Sequence, residues 1–264
     1  MAIKVLVSGS GRMGHEVLAA ACREPHLEPV GVVDLFAKED YIPLPDGSGL
    51  VPFGASPNAI ITRTRPDVIV DFTHAEWTPG LAHEALAAGA RLVIGTSGLP
   101  DAFLRELARE CRKRGIGAVV AANFALGAVL MQHMAAIAGR FFDSAEIIEM
   151  HHDAKVDAPS GTAIATAKAM AEAREAPFVR PQTEKENLPG TRGGEIAGVT
   201  IHSVRLPGLV AHQEVVLGGP GETLTIRHDT ISRESFMPGV LLAIREVMKR
   251  NELVLGLDKL IGLE

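Results

Sequence analysis

The sequence predicts an α/β protein in two parts, a parallel sheet wound with helices followed by a smaller α+β region whose sheet is mainly antiparallel. Three observations predict it. Short apolar runs alternate with helical segments up to Asn123. Beyond that point, after two more helices, the last three runs are separated by Gly/Pro turns. The 264 residues, 47% of them hydrophobic, suffice to bury the cores that such a fold needs.

The elements follow in order. "IKVLV" reads as a fully apolar strand, followed by "SGSGRMG" and a helix over about 13–22 that stops before Pro25. "LEPVGVVD" is a second strand ending at Asp34, and the Pro- and Gly-rich stretch 41–57 reads as loop. "DVIVDFT", "RLVIGTSG" and "AVVAANF" are three more strands, with helices over 79–88 and 101–113 between them. A helix near 129–138, the strand "AEIIEMHH" and an Ala-rich helix over 162–173 come next. "GVTIHSVRL", "AHQEVVL" and "TLTIRHD" then suggest an antiparallel sheet, while "EKENLPGTRGGE" reads as mobile. The last helix, "PGVLLAIREVMKR", places Pro238 in its first turn and an apolar stripe through Val240, Leu241, Ile244, Val247 and Met248.

Composition excludes several functions. A formal charge of −6, one Trp and one Tyr give neither the basic excess nor the stacking surfaces that nucleic acid requires. Residues 115–139 lack any Asp, Glu, Lys or Arg, but Asn123, Gln132, His133 and several glycines interrupt them. They read as a buried strand and a buried helix, so no membrane partner is expected. Two distant cysteines, Cys22 and Cys111, and an N-terminus without the pattern of an export signal point to the cytoplasm.

"GSGRMG" fits the dinucleotide fingerprint. Gly9 permits the tight turn, Gly11 lets the backbone approach a pyrophosphate, and Gly14 lets the helix pack on the strand. The helix start supplies amides and partial positive charge for the anion. Asp34, about 20 residues on at the end of the second strand, stands where an acid binds the adenosine ribose. "GTS" and "AANF" close later strands on the same carboxyl edge.

A second cluster is "HHDAKVDAPSGT", residues 151–162. Neighbouring strand residues point to opposite faces, so His151 and His152 do not chelate one ion, and Lys155 repels it; no metal is expected. Ser160 lacks the preceding glycine of a nucleophile elbow. An anionic substrate fits better, held by Ser160, Gly161 and Thr162 at a helix start, with Lys155 and the histidines adding charge and acid groups. The local residues equally allow a helix cap at Thr162, a solvated lysine and histidines that fill a strand. The dinucleotide motif upstream favours the substrate reading, because a reductase needs a second region for its substrate.

"EIIEMHHDAKVDAPSGTA" resembles the signature of the 4-hydroxy-tetrahydrodipicolinate reductase family, also called dihydrodipicolinate reductase, of lysine and diaminopimelate biosynthesis. The similarity extends through "GRMG", "DFT", "GTSG", "AANFALGAVL", "LPGTRGGE", "HSVRLPGLVAHQEV" and "SFMPGV", nearly the whole chain. The resemblance implies a Rossmann-like dinucleotide domain from residues 1–123 plus 235–264, with an inserted domain, 124–234, that binds substrate and forms a homotetramer. It implies His151 as general acid/base, Lys155 as proton donor, and His152, Ser160, Gly161 and Thr162 as binders of the substrate carboxylates. The cofactor residues it implies are Gly9, Ser10, Gly11, Arg12, Met13, Gly14, Asp34, Gly95, Thr96, Ser97, Ala121, Ala122, Asn123 and Phe124. One departure is a glycine loop shorter by one residue than is common in the family.

The implied substrate, after loss of its 4-hydroxyl, is a cyclic imine with two carboxylates. Hydride adds at ring C4, and Lys155 and His151 stabilise the charge that develops toward the ring nitrogen and C3. Both NADH and NADPH are expected to serve, NADH modestly preferred, because Asp34 repels a 2′-phosphate that Arg12 and Lys38 attract. Two rival readings are another nicotinamide reductase of an anion and a non-catalytic NAD(H) sensor; the Lys155–His151 pair argues against the sensor.

Overall fold

Strand β1 (Ile3–Ser8) buries Val5, Leu6, Val7 and Ser8 almost completely, as a central strand covered on both faces must. The computed structural model describes residues 2–263. It divides into two units, one running to Phe124 and resuming at Phe236, the other Ala125–Ser235.

In the first unit β1 is followed by α1 (Arg12–Arg23), β2 (Leu27–Val33), β3 (Tyr41–Pro43), β4 (Leu50–Gly54), α2 (Pro57–Thr64), β5 (Val68–Asp71), α3 (Thr78–Ala87), β6 (Arg91–Ile94), α4 (Asp101–Arg114) and β7 (Ala118–Val120). The eight-stranded sheet has the order β13-β7-β6-β5-β1-β2-β4-β3, its last strand supplied by the C-terminal segment described below. Every pairing is parallel except β3 with β4. The strand order reverses between β1 and β5, which is where doubly wound sheets bind ligands beyond their carboxyl ends.

One layer of helices, α2 to α4, buries Ile60, Ile61, Leu81, Leu86, Leu107 and Cys111 against Leu6, Ile69, Leu92 and Ile94 of the sheet. On the other side α1 packs against the C-terminal helix.

The second unit holds α5 (Leu126–Ala138), β8 (Ser144–His151), α6 (Gly161–Glu172), β9 (Gly194–Ile196), β10 (Val199–Arg205), β11 (Ala211–Gly219) and β12 (Glu222–Thr230). Its sheet has the order β12-β11-β8-β10-β9. Both helices cover one face, where Met131, Ala135, Ala163, Ala167 and Met170 meet Ile147, Ile201, Val215 and Leu217. Alternate residues, among them Ile148, Met150, Val204 and Val216, lie on the opposite face. The chain then returns to the first unit through α7 (Met237–Val247), β13 (Leu253–Leu255) and α8 (Leu257–Leu260). Pro238 stands at the start of α7, whose Val240, Ile244 and Val247 are fully buried.

Several expectations are corrected. Residues 41–57 are not simply loop, because β3 and β4 form an antiparallel pair there and β4 joins β2. Pro43 is tolerated because β3 is the edge strand, and Pro52 because β4 pairs with β2 only through Phe53 and Gly54. The 184–195 stretch ends inside β9, which pairs with β10. β10 does not pair with β11; it lies parallel to β8, since the intervening α6 acts as the crossover that a parallel pair requires.

Candidate active site

The glycine loop leaves β1 at Gly9, whose φ of 98° favours a residue without Cβ. A Cβ at Gly14 would stand 1.8 Å from the Gly9 carbonyl oxygen, so this glycine is required by helix packing. A Cβ at Gly11 would meet nothing within 4 Å, so the protein itself does not require that glycine. Gly11 is also the N-cap of α1, with no side chain capping the first turn and no acid in it. An open approach to uncapped amides is what a pyrophosphate needs.

Asp34 follows β2 and faces the same loop. Its Oδ2 accepts from the Ser10 amide and the Ser10 hydroxyl, both at 2.7 Å, and its Oδ1 accepts from the Phe36 amide at 2.9 Å. Burial pushes the carboxyl up, but the hydrogen bonds from Phe36 and Ser10 outweigh it and hold Asp34 below the usual carboxylate range. Gly9, Gly11, Asp34, Phe36, Thr73 and His74 line one cleft.

Below the cleft Asp71 is completely buried. It accepts from the hydroxyls of Thr73 at 2.7 Å, Thr78 at 2.6 Å and Thr96 at 2.9 Å. Thr96 is therefore committed inward, and its backbone is what remains for a cofactor. Ala121 and Phe124 are also buried, Phe124 edge-on to Phe72 with centroids 5.5 Å apart. Phe72 explains Gly95, where a Cβ would lie 2.0 Å from the Phe72 ring. Arg12, Ser97 and Ala122 are exposed and Met13 and Asn123 half-buried.

In the second unit Glu149 is completely buried on β8, two residues before His151 and so on the same face. His151 Nδ1 lies 2.6 Å from Glu149 Oε2. Arg205 on β10 clamps the same carboxylate with two bonds, at 2.9 and 2.8 Å, and also donates to the Asp157 carbonyl at 2.7 Å. The Ser160 amide donates to Glu149 Oε1 at 3.2 Å.

Burial pushes the Glu149 carboxyl up, but hydrogen bonds from Arg205, the Ser203 side chain and His151 hold it below its usual range. The His151 imidazole is lowered, chiefly by burial, with Lys155 and Arg205 adding to the effect and Glu149 opposing it.

Lys155 pairs with Asp157 at 2.6 Å in the loop between β8 and α6. Ser160, not Thr162, caps α6, accepting from the Ala163 amide at 3.1 Å. The Gly161 and Thr162 amides then occupy the first helical positions, which have no intrahelical acceptor. Gly161 is exposed, and a Cβ there would meet nothing within 4 Å. His151, Lys155, Ser160, Gly161 and Thr162 are thus borne by one strand end, one loop and one helix start. His152, just past the end of β8, is half-buried.

Two family models match in succession, dihydrodipicolinate reductase N-terminus over residues 3–124 and dihydrodipicolinate reductase C-terminus over residues 127–261. The chain belongs to the dihydrodipicolinate reductase family. Relatives named 4-hydroxy-tetrahydrodipicolinate reductase include one from Dehalococcoides mccartyi, 51% identical over 262 residues and 99% of each chain. Another, from Bacillus subtilis, is 45% identical over 98% of each chain. A solved structure of dipicolinate-bound dihydrodipicolinate reductase from Paenisporosarcina sp. TG-14 superposes with a TM-score of 0.88 at 40% identity, covering 98% of this chain and 99% of the other. As a dihydrodipicolinate reductase, the chain is a nicotinamide-dependent oxidoreductase of the lysine pathway.

Sequence reasoning missed Glu149, Arg205 and Asp71, and also Phe36, Thr73 and His74 of the cleft. For Glu149 the signal was present: "EMH" places an acid two residues before His151 on one strand face. Arg205 lies far along the chain and only the pairing of β10 with β8 brings it there.

Proposed function

We propose that, within the family's reduction of 4-hydroxy-tetrahydrodipicolinate to tetrahydrodipicolinate, Lys155 and His151 handle the protons and the start of α6 holds a substrate carboxylate. The observation that carries this reading is the bonding of His151 and the Ser160 amide to one buried carboxylate, Glu149. A single anchor supports both the acid/base ring and the loop end from which Gly161 and Thr162 offer their amides. Ser160, Gly161, Thr162 and His152 would bind the carboxylates. Lys155, paired with exposed Asp157, would exchange that partner for the developing negative charge on the ring.

His151 presents its Nε2 away from Glu149 and would take up and return a proton there. The open glycine loop and Asp34 fit a reduced nicotinamide dinucleotide, with Gly9 to Gly14 at the pyrophosphate and Asp34 at the ribose. That cofactor supplies, when bound, the hydride for ring C4. The backbones of Gly95, Thr96 and Ser97 and of Ala121 to Phe124 would line the same edge.

Asp34 supports NADH preference by roughly tenfold or less, the size of about 1 kcal/mol of electrostatic difference in a solvated groove. The face of the second sheet that carries none of the unit's helices, where Ile148, Met150, Val204 and Val216 lie among paired charged residues such as Glu146, His202, Glu214 and Arg227, supports a homotetramer. Membership of a biosynthetic family supports a cytoplasmic enzyme.

The assay mixes protein, freshly prepared 4-hydroxy-tetrahydrodipicolinate and either cofactor, and follows loss of reduced cofactor. Consumption with both, and a kcat/KM ratio modestly favouring NADH, is expected; no consumption with either would sink the reading, and a strong NADPH preference would reassign Asp34. Light scattering should give four times the chain mass.

A further inference from the structure

We propose that Glu149 is a positioning residue for His151: its buried carboxylate fixes the imidazole with the proton on Nδ1, and the Arg205 fork keeps that carboxylate from charging the ring. The proposal rests on the reading of His151 as the acid/base group and names what makes it one.

A carboxylate oxygen only accepts, so the 2.6 Å contact with Glu149 Oε2 places a hydrogen on His151 Nδ1. The lone pair is then on Nε2, the nitrogen that faces away from the anchor. A buried glutamate alone beside a histidine would favour the imidazolium, because the opposite charge stabilises it. Here the glutamate is not alone. Arg205 donates to both oxygens, at 2.9 and 2.8 Å, and the Ser160 amide adds a bond at 3.2 Å. With His151 and the Ser203 side chain these donors surround the carboxylate, so Glu149 has no capacity left to act as a base itself.

The charges facing His151 are Glu149 on its own strand, Arg205 on β10 and Lys155 in the following loop, and the two cations offset the one anion. Burial of the ring disfavours its charged form first and the two cations add to that, so Glu149 orients the imidazole while its pKa stays below the ordinary value. Arg205 also holds the Asp157 carbonyl at 2.7 Å, so the loop that bears Lys155 hangs from the same fork.

The two partners have opposite effects, which a merely structural role would not produce. Histidine-labelled protein examined by nitrogen NMR should show His151 as the Nδ1–H tautomer at neutral pH. Glu149→Gln should lower the His151 pKa by about one unit and scramble the tautomer, whereas Arg205→Gln should raise it by about one unit. The kcat of Glu149→Gln should fall at least about tenfold with a smaller change in KM, the scale of losing a group that orients a reacting one.

An Nε2–H tautomer in the unaltered protein, or shifts of the same sign in both variants, overturns the proposal. The tautomer measurement needs no variant, so a poorly folding substitution does not shelter it. His151→Gln separates the two levels of argument: unchanged turnover in that variant would refute the catalytic reading of His151, while the tautomer and the opposed shifts still judge Glu149.

Discussion

Thr96 donates its hydroxyl to Asp71 Oδ2 across 2.9 Å and accepts the Thr73 amide at 3.1 Å, so one buried side chain joins the loops that follow β5 and β6. Asp71→Ala removes the shared acceptor of the Thr73, Thr78 and Thr96 hydroxyls, two of them buried, and should cost about 2 to 4 kcal/mol. Thr96→Val should cost about 1 to 2 kcal/mol and weaken NADH binding. Urea midpoints and cofactor titrations read both, and stability within about 0.5 kcal/mol of the parent for Asp71→Ala would refute the role given to this carboxylate.

The two glycines of the loop should separate cleanly. Gly14→Ala meets a backbone carbonyl and should destabilise the fold by several kcal/mol or prevent folding. Gly11→Ala meets nothing in the free protein, so its thermal midpoint should stay within a few degrees while NADH affinity drops about tenfold or more. Normal NADH binding by Gly11→Ala would remove the pyrophosphate from this position.

Lys155 is bonded to exposed Asp157 in a loop outside the second unit's hydrophobic cluster, so Lys155→Ala should fold normally. Turnover should fall about a hundredfold or more, the usual scale for a positioned acid, with NADH affinity nearly intact. Equal loss of cofactor binding would mark a folding defect instead.

The lowered pKa of His151 gives binding a pH dependence. Above its folded value the ring is neutral; a dicarboxylate beside it raises the pKa, so binding takes up a proton. By linkage, affinity for pyridine-2,6-dicarboxylate should rise as pH falls toward the lowered His151 pKa, by at most about tenfold per unit for one proton. Calorimetry in buffers of different ionisation heat reports the uptake directly. Thr162→Val should weaken the same ligand, and affinity flat with pH would exclude His151 from the pocket.

The glycine loop, Asp34 and the alternating strands were legible because each carries a local pattern: a turn, a helix start, an apolar run of fixed period. β3, β4 and β9 were not, since strands of three to five residues at or next to a sheet edge tolerate the prolines and glycines that ordinarily mark loops. β13 escaped for the same shortness. In the site, His151 and Lys155 stood out by residue type, whereas Glu149, Arg205 and Asp71 look like surface residues until the fold buries two of them and pairs the third. Burial of a charge depends on partners distant in sequence, and no local pattern announces it.

The order of the elements along the chain bears on synthesis. All seven strands and helices of the second unit precede α7 and β13, which complete the first. On the ribosome, the later-begun unit can therefore fold while the earlier one still lacks the helix that buries Val240, Ala243, Ile244 and Val247 and the strand that closes its β7 edge. A nascent chain paused near Ser235 carries an uncovered apolar surface and an unpaired strand, the combination that chaperones capture and that aggregates when they do not.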